Sequence, residues 1–151
     1  MTTYTITGDD TLVIADRVMT DLADGDNSAI TFANNRAEMK TGKNGNSIFA
    51  RNANGDNADL SLRVIRGSND DNYLQSKIAE SDRDFASTPL LGGSFVKRMG
   101  DGEGAVRNDT YTLSGGMVMK RVDGKENSDG DIEQAVSIYT MKFAQGIRSI
   151  Q

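Results

Sequence analysis

Histidine, cysteine and tryptophan are absent from this chain, and proline occurs once in 151 residues. Without histidine, no side chain titrates near neutral pH at its ordinary pKa, and the commonest metal ligand is missing. Ser-His-Asp, Cys-His and His-metal sites are therefore excluded by inventory. Without cysteine there is neither a disulfide framework nor a thiolate metal site. A carboxylate- or lysine-based enzyme stays compatible with the composition, but no acid pair can be placed from the sequence. The expectation is a non-enzymatic protein with no catalytic residue, no cofactor and no metal.

Positive charge is also in short supply. Lys and Arg number 17 against 22 Asp and Glu, a net charge of −5. A nucleic-acid reader carries the opposite balance. No apolar run approaches the roughly 20 residues of a membrane helix. The first residues, MTTYTITGDD, show neither the basic segment nor the apolar stretch of a signal peptide. These features predict a soluble protein made in a cytoplasm, with no membrane partner.

Turn chemistry, by contrast, is abundant. Many of the 16 glycines stand beside Asn or Asp, and such pairs supply the positive-φ positions of tight turns. GDD at 8–10, DGDN at 24–27, KNGN at 43–46 and NGDN at 54–57 punctuate the first half. GDGEG at 100–104, DGKEN at 123–127 and SDGD at 128–131 punctuate the second. Between them, residues 11–15, 29–33, 47–51, 60–66, 110–122 and 132–144 read as strands. Regular turn signals between short strands argue for a sandwich or barrel. One segment, GSNDDNYLQSKIAESDRDF, differs. Ser68 stands as an N-cap, Asp70 and Asp71 sit near the positive helix end, and Leu74, Ile78 and Tyr73 make a narrow apolar stripe. The spacing predicts a helix over 69–82. A length of 151 residues and a hydrophobic share of 36% suit one domain over 1–151 with a real core. The predicted class is mainly β, a sandwich or barrel of antiparallel strands with one flanking α-helix.

Two stretches demand more cover than one chain readily supplies. In AVSIYTMKFAQGIRSIQ, which closes the chain, Val136 and Ile138 point one way and Tyr139, Met141 and Phe143 the other, with Ile147 and Ile150 following. A strand with one wet face alternates apolar and polar residues; this one is apolar on both. Before it, TYTLSGGMVMKRV sets Tyr111, Leu113, Met117 and Met119 on one alternating set, and Gly115 with Gly116 marks a bend or bulge. A final strand of ~13 residues exceeds the usual ~5–6 and suits a curved sheet closed into a barrel.

The second stretch is EMKTGKNGNSIFARNANGDNADLSLRVI. Asn44-Gly45 is a hairpin signal between 38–40 and 48–50. An ordinary surface hairpin accounts for it, and so does a projecting arm that docks on a neighbour. Ile48 and Phe49 are adjacent and face opposite sides, so one of them needs cover away from its own sheet. Lys40, Lys43, Arg51, Arg63 and Arg66 are interleaved with acids and suit solvated or intersubunit pairs better than a nucleic-acid stripe. The 7 Met residues fill core gaps or interfaces. Two unshielded segments in one chain point to self-assembly.

Two other motifs carry little. KENSDGDIE, with Gly130 at the sixth position of a calcium loop, puts Asn127, Asp129 and Asp131 where oxygen ligands belong. Lys125 at the first position and Val136 at the twelfth defeat the match, so a solvated hairpin loop fits better. The 100–104 glycines lack the Lys-Ser/Thr of a phosphate loop and open no helix.

The order of segments also resembles a known family, the tail tube proteins of contractile-tailed bacteriophages. The acidic loop MTDLADGDNSAITF precedes a charged strand, the turn TGKNGN, a small polar stretch, the strand LSLRVIRGS and a short helix. YTMKFAQGIRSI is similar to the family's closing strand, and the likeness in order and spacing spans residues 12–150. It implies a β-sandwich with a flanking helix, six copies per ring, and inner strands joined into one continuous β-barrel. Rings would stack into a hollow tube inside a sheath, in a virion assembled in the host cytoplasm. Genome DNA would pass through without specific binding, and no cofactor or catalysis is involved. Partners would be further copies, tail sheath, and tail terminator or baseplate proteins.

On that resemblance Lys40, Lys43, Asn44, Gly45, Ile48, Phe49 and Arg51 form the inter-ring hairpin, within an arm over 40–57. Tyr111, Met117, Met119, Val136, Ile138, Tyr139, Met141 and Phe143 lie on the inter-subunit strands, over 110–122 and 133–147. Six chains at −5 carry 6 × −5, about −30 per ring, and an acidic bore would repel DNA phosphates so that the duplex slides. The alternative is a soluble β-domain of adhesin type that binds a cell-surface ligand. That needs a concave apolar pocket, and 4 Tyr, 5 Phe and no Trp argue against one.

Overall fold

A polar chain with short apolar alternations can bury one face of a sheet and little else. The computed structural model describes residues 3–130 and 132–151, and of Asp9 the backbone only. Asp131, a ligand position of the calcium-loop alignment, lies outside the described residues. In chain order come β1 (Thr5–Ile14), β2 (Arg17–Val18), β3 (Ser28–Thr31), β4 (Ala37–Thr41), β5 (Ser47–Arg51) and β6 (Ala58–Ile65). Helix α1 (Asn69–Arg83) follows, then β7 (Leu91–Gly100), β8 (Val106–Val118), a 3-10 turn (Ile132–Ala135) and β9 (Val136–Ile150). Seven strands form one sheet in the order β2-β1-β7-β8-β9-β6-β3, while β4 and β5 make a separate ribbon. All pairings are antiparallel. The molecule is mainly β with one helix, as its turn spacing predicts.

The large sheet curls until its edge strand β3 comes over β7 and β8. Phe32, just past β3, stacks on Tyr111 of β8 with ring centroids 6.4 Å apart. Ser28 and Ile30 of β3 share a cleft of about 210 Å³ with Phe95, Lys97, Asp109 and Tyr111. Side chains, not backbone pairs, make this closure. Inside the curl, β6 buries Leu60, Leu62 and Val64 against Tyr139, Met141 and Phe143 of β9, with Leu12, Ile14 and Leu113 completing the sheet's side. Leu74 and Ile78 of α1 close the top of this core. Each buried aliphatic or aromatic group contributes about 1.5–3 kcal/mol.

Helix α1 starts where its capping signal says. The Asp71 amide donates to Ser68 Oγ at 3.2 Å. Asp70, expected only to favour the helix dipole, is fully buried and does more. Its carboxylate accepts Arg17 Nε at 2.7 Å and the amides of Thr20 at 2.7 Å and Asp21 at 2.6 Å. Asp71 accepts the Tyr139 hydroxyl, Ser137 Oγ at 3.1 Å and the Gly67 amide at 2.8 Å. A helix with only a narrow apolar stripe is thus fastened by two carboxylates.

Several boundaries differ from expectation. β1 begins at Thr5 rather than residue 11, and GDD lies inside it at a register shift instead of forming a turn. Residues 132–135 are a 3-10 turn, so the last strand is displaced to 136–150. β7 is unanticipated: Gly92, Gly93, Lys97 and Arg98 dilute its alternation, and it exists as the partner of β1 and β8. The bulge expected at Gly115 and Gly116 is present, with Leu91 opposite Gly116 but Gly93 opposite Leu113, and Gly115 at φ 66°.

Two predictions follow from this packing. A methyl group on Gly116 would overlap the Phe143 ring, whereas at Gly124 it would meet nothing within 4 Å. Gly116→Ala should lower unfolding free energy by about 1–3 kcal/mol in urea, and Gly124→Ala should leave it unchanged. For Asp70, burial alone raises the pKa, but the Asp21 amide, the Arg17 guanidinium and the Thr20 amide outweigh it and hold the group below its usual value. Its stabilisation is then full above the unfolded value of about 4 and fades as pH falls through the folded one. Asp70→Asn should cost about 1–3 kcal/mol at neutral pH and flatten the acid limb of the stability profile. An unaltered acid limb would refute the assignment.

Candidate assembly surfaces

The hairpin is built by local signals alone. β4 pairs with β5 from Ala37 opposite Arg51 to Thr41 opposite Ser47, and Gly45 turns the chain at φ 84°. All ten strand residues are exposed, so the ribbon stands off the body. At its base the Asn52 amide donates to the Arg36 carbonyl at 2.9 Å, and Asn34 Nδ2 to the Asn54 carbonyl at 3.2 Å. Met39 lies opposite Phe49 and Lys40 opposite Ile48, which puts Ile48 and Phe49 on opposite faces. Phe49 is 72% and Ile48 69% exposed. A two-stranded ribbon is marginal alone in water, and this one has bare apolar groups on both faces. Arg36, Lys40, Lys43 and Arg51 against Glu38 give it 4 − 1 = +3.

A second surface arises because β6 is 8 residues long and β9 is 15. Beyond Phe143, β9 pairs only with β8, and β1, β7, β8 and β9 continue as a four-stranded segment. Thr11, Val96, Thr110 and Ser149 stand in one cross-strand row, and Val13, Ser94, Thr112 and Ile147 in another. Arg98 and Asn108 form the next row. These rows face away from the core and, among the described side chains, carry one charge, Arg98.

Both margins of that segment are open among the described residues. β1 meets β2 only at Val13 and Ile14, and β9 past Phe143 has no strand on its outer side. Asn108 and Gln151 exchange backbone hydrogen bonds at 2.8 and 3.1 Å. That phase turns the backbone groups of Arg148 and Ile150 away from β8. On the opposite face, Asp109 accepts Arg148 Nε and Nη2, both at 2.9 Å, and Lys97 pairs with Asp10 at 3.1 Å. The Arg148 hydrogen bond holds the Asp109 carboxyl below its usual pKa. Arg148 also lies 5.7 Å over the Tyr111 ring. Charged pairs, not apolar packing, hold this end together.

The residues expected on inter-subunit strands divide between faces. Tyr139, Met141 and Phe143 are buried in their own chain, which corrects their assignment as contacts for a neighbour. The cover is supplied by β6 and α1, whose stripes fit that face of β9. Tyr111 is half-buried against Phe32, Phe95 and Arg148. Met117 and Met119 do not share a face with Tyr111 and Leu113 as the alternation predicts. The bulge adds one residue, so Gly116 and Val118 succeed Leu113 inward. Met119, with its amide on the Thr140 carbonyl, is exposed. Val136, Ile138 and Met117 lie on the same outer side, and Ile138 is 39% exposed. Sequence reasoning missed Tyr4, Ile6, Val106, Phe85 and Leu90, all exposed. Each belongs to a run of one to three apolar residues too short to carry a periodic signal.

The 125–130 loop is held by its own polar groups: the Asp129 amide donates to Asn127 Oδ1 and the Asn127 amide to Gln134 Oε1, each at 2.8 Å. Among the described residues no helix is long and apolar enough to cross a membrane. No protein-family model matches this chain, and no curated protein matches it.

The two faces of β9 should respond differently to truncation. Met141→Ala should cost about 2–5 kcal/mol, whereas Ile138→Ser should stay within ~0.5 kcal/mol. Urea denaturation of the dissociated chain measures both, and equal losses would refute the face assignment.

Proposed function

We propose that this chain is a subunit of a phage-type tail tube. Copies close head to tail into rings, six per ring as the family resemblance implies, and the rings stack into a hollow conduit for the genome. The observation that carries the reading is the four-stranded segment with an open edge on each side, at β1 and at β9. Because β1, β7, β8 and β9 alternate in direction, a β9 edge laid beside the β1 edge of the next copy makes a regular antiparallel junction. Different surfaces meet at such a contact, so it is heterologous and generates a ring when the rotation closes. Closure removes both open edges of this segment.

In this reading the uncovered face of the segment lines the bore. Among the described side chains its rows are hydroxyl, amide and aliphatic, with Arg98 the exception. Acids such as Asp24, Asp26, Asp84, Asp101 and Glu103 lie on loops instead. On this reading the described side chains of the lining are mostly uncharged, and the net negative charge of the chain sits mainly elsewhere. With Arg98 as the one cation per copy among its described side chains, the lining offers phosphates little counter-charge and no strong repulsion, so passage depends little on salt. The sheath and the terminator or baseplate proteins would meet the outer surfaces.

Negative-stain microscopy of the purified chain over a concentration series tests the proposal. Hollow rings or tubes are expected. Deleting residues 43–46 should leave a soluble protein that no longer polymerises. A full-length chain that stays monomeric at every concentration would overturn the reading.

A further inference from the structure

We infer that the β4–β5 arm of one copy seats in the cleft between α1 and the 88–92 segment of the next. This rests on the tube reading for its setting and assigns the surface that receives the arm. The cleft has a volume of about 430 Å³, within the range of roughly 300–1,000 Å³ typical of pockets that enclose a ligand. Leu90, Leu91 and Val118 supply apolar walls, and Asp16 and Glu80 are the acids that line it. Its one cation, Lys77, is turned onto the Tyr73 ring at 5.3 Å and onto Glu80 at 3.8 Å. Leu90 is 63% exposed at the mouth, and neighbouring Phe85 is 70% exposed. The chain's own arm does not fill this space, since all its strand residues are exposed.

Arm and cleft match in chemistry. The arm presents Met39 and Phe49 as one cross-strand pair, with Arg51 on the same face and Lys43 in the turn. Seating that pair on the Leu90 wall would cover the apolar groups of both surfaces and bring Arg51 and Lys43 toward Asp16 and Glu80. Charge favours the approach over the whole molecule: the arm carries +3 and the remainder −5 − 3 = −8. Opposite fields of this kind speed and orient encounter. The two surfaces are distinct parts of one chain, so each copy can give an arm and receive one, and the contact continues without limit.

The absence of cysteine makes a direct test possible. Phe49→Cys and Leu90→Cys, combined in one chain and oxidised after assembly, should give a ladder of many copies on a non-reducing gel. Each single variant should give no species above a dimer. Both positions are exposed, so neither change should prevent folding. Tubes without a ladder would overturn the inference while leaving the tube reading intact. A ladder without tubes would support the contact and remove the tube reading. No ladder, together with an unsubstituted chain that stays monomeric, would overturn both.

Discussion

Strand β9 must satisfy two environments along one continuous backbone. Side chains of a strand alternate between faces whatever lies beside them. Over its first half, β6 pairs with β9 and α1 lies above, so Tyr139, Met141 and Phe143 enter a dry core. Over its second half β6 has ended, and only β8 remains. The length mismatch between these two neighbours produces the uncovered four-stranded segment, its open edges and its charged closing pairs. Unpaired strand edges template further pairing unless something blocks them. Nothing among the described residues blocks these along the far half of the segment, apart from the Asp56 carbonyl taking the Gly146 amide at 2.8 Å.

A hydrophobic share of 36% leaves little apolar area for fastening one element to another, and carboxylates take part of that work. Asp70 and Asp71 tie the helix start to the segment after β2 and to β9, while Asp109 and Arg148 tie β8 to β9. Each charge has partners that replace its lost water, which is the condition for burial without large cost. The same residues begin α1 near its positive end. One acidic dipeptide thus serves local helix initiation and long-range docking together.

The hairpin, the helix with its Ser68 cap, the β6 alternation and the bulge near Gly115 were legible because each depends on residues adjacent in sequence. β7 was not, since its glycines and cations give it no local signature and its strand character comes from β1 and β8. The buried role of Asp70 was hidden for the same reason: Arg17, Thr20 and Asp21 are about 50 positions away. The cleft beside α1 gathers residues from four separate stretches of chain and leaves no motif in any of them.

By itself the sequence determined the periods, the turns and the excess of apolar groups over what one sheet face can hide. These are local quantities, decided by side-chain alternation and by the φ values that glycine permits. Only the tertiary structure decided which face of β9 is buried, where Met117 and Met119 point, and which edges stay open. Those outcomes depend on how far a neighbouring strand extends and on one residue inserted at a bulge. Such facts belong to pairs of strands, and no single stretch of residues contains them.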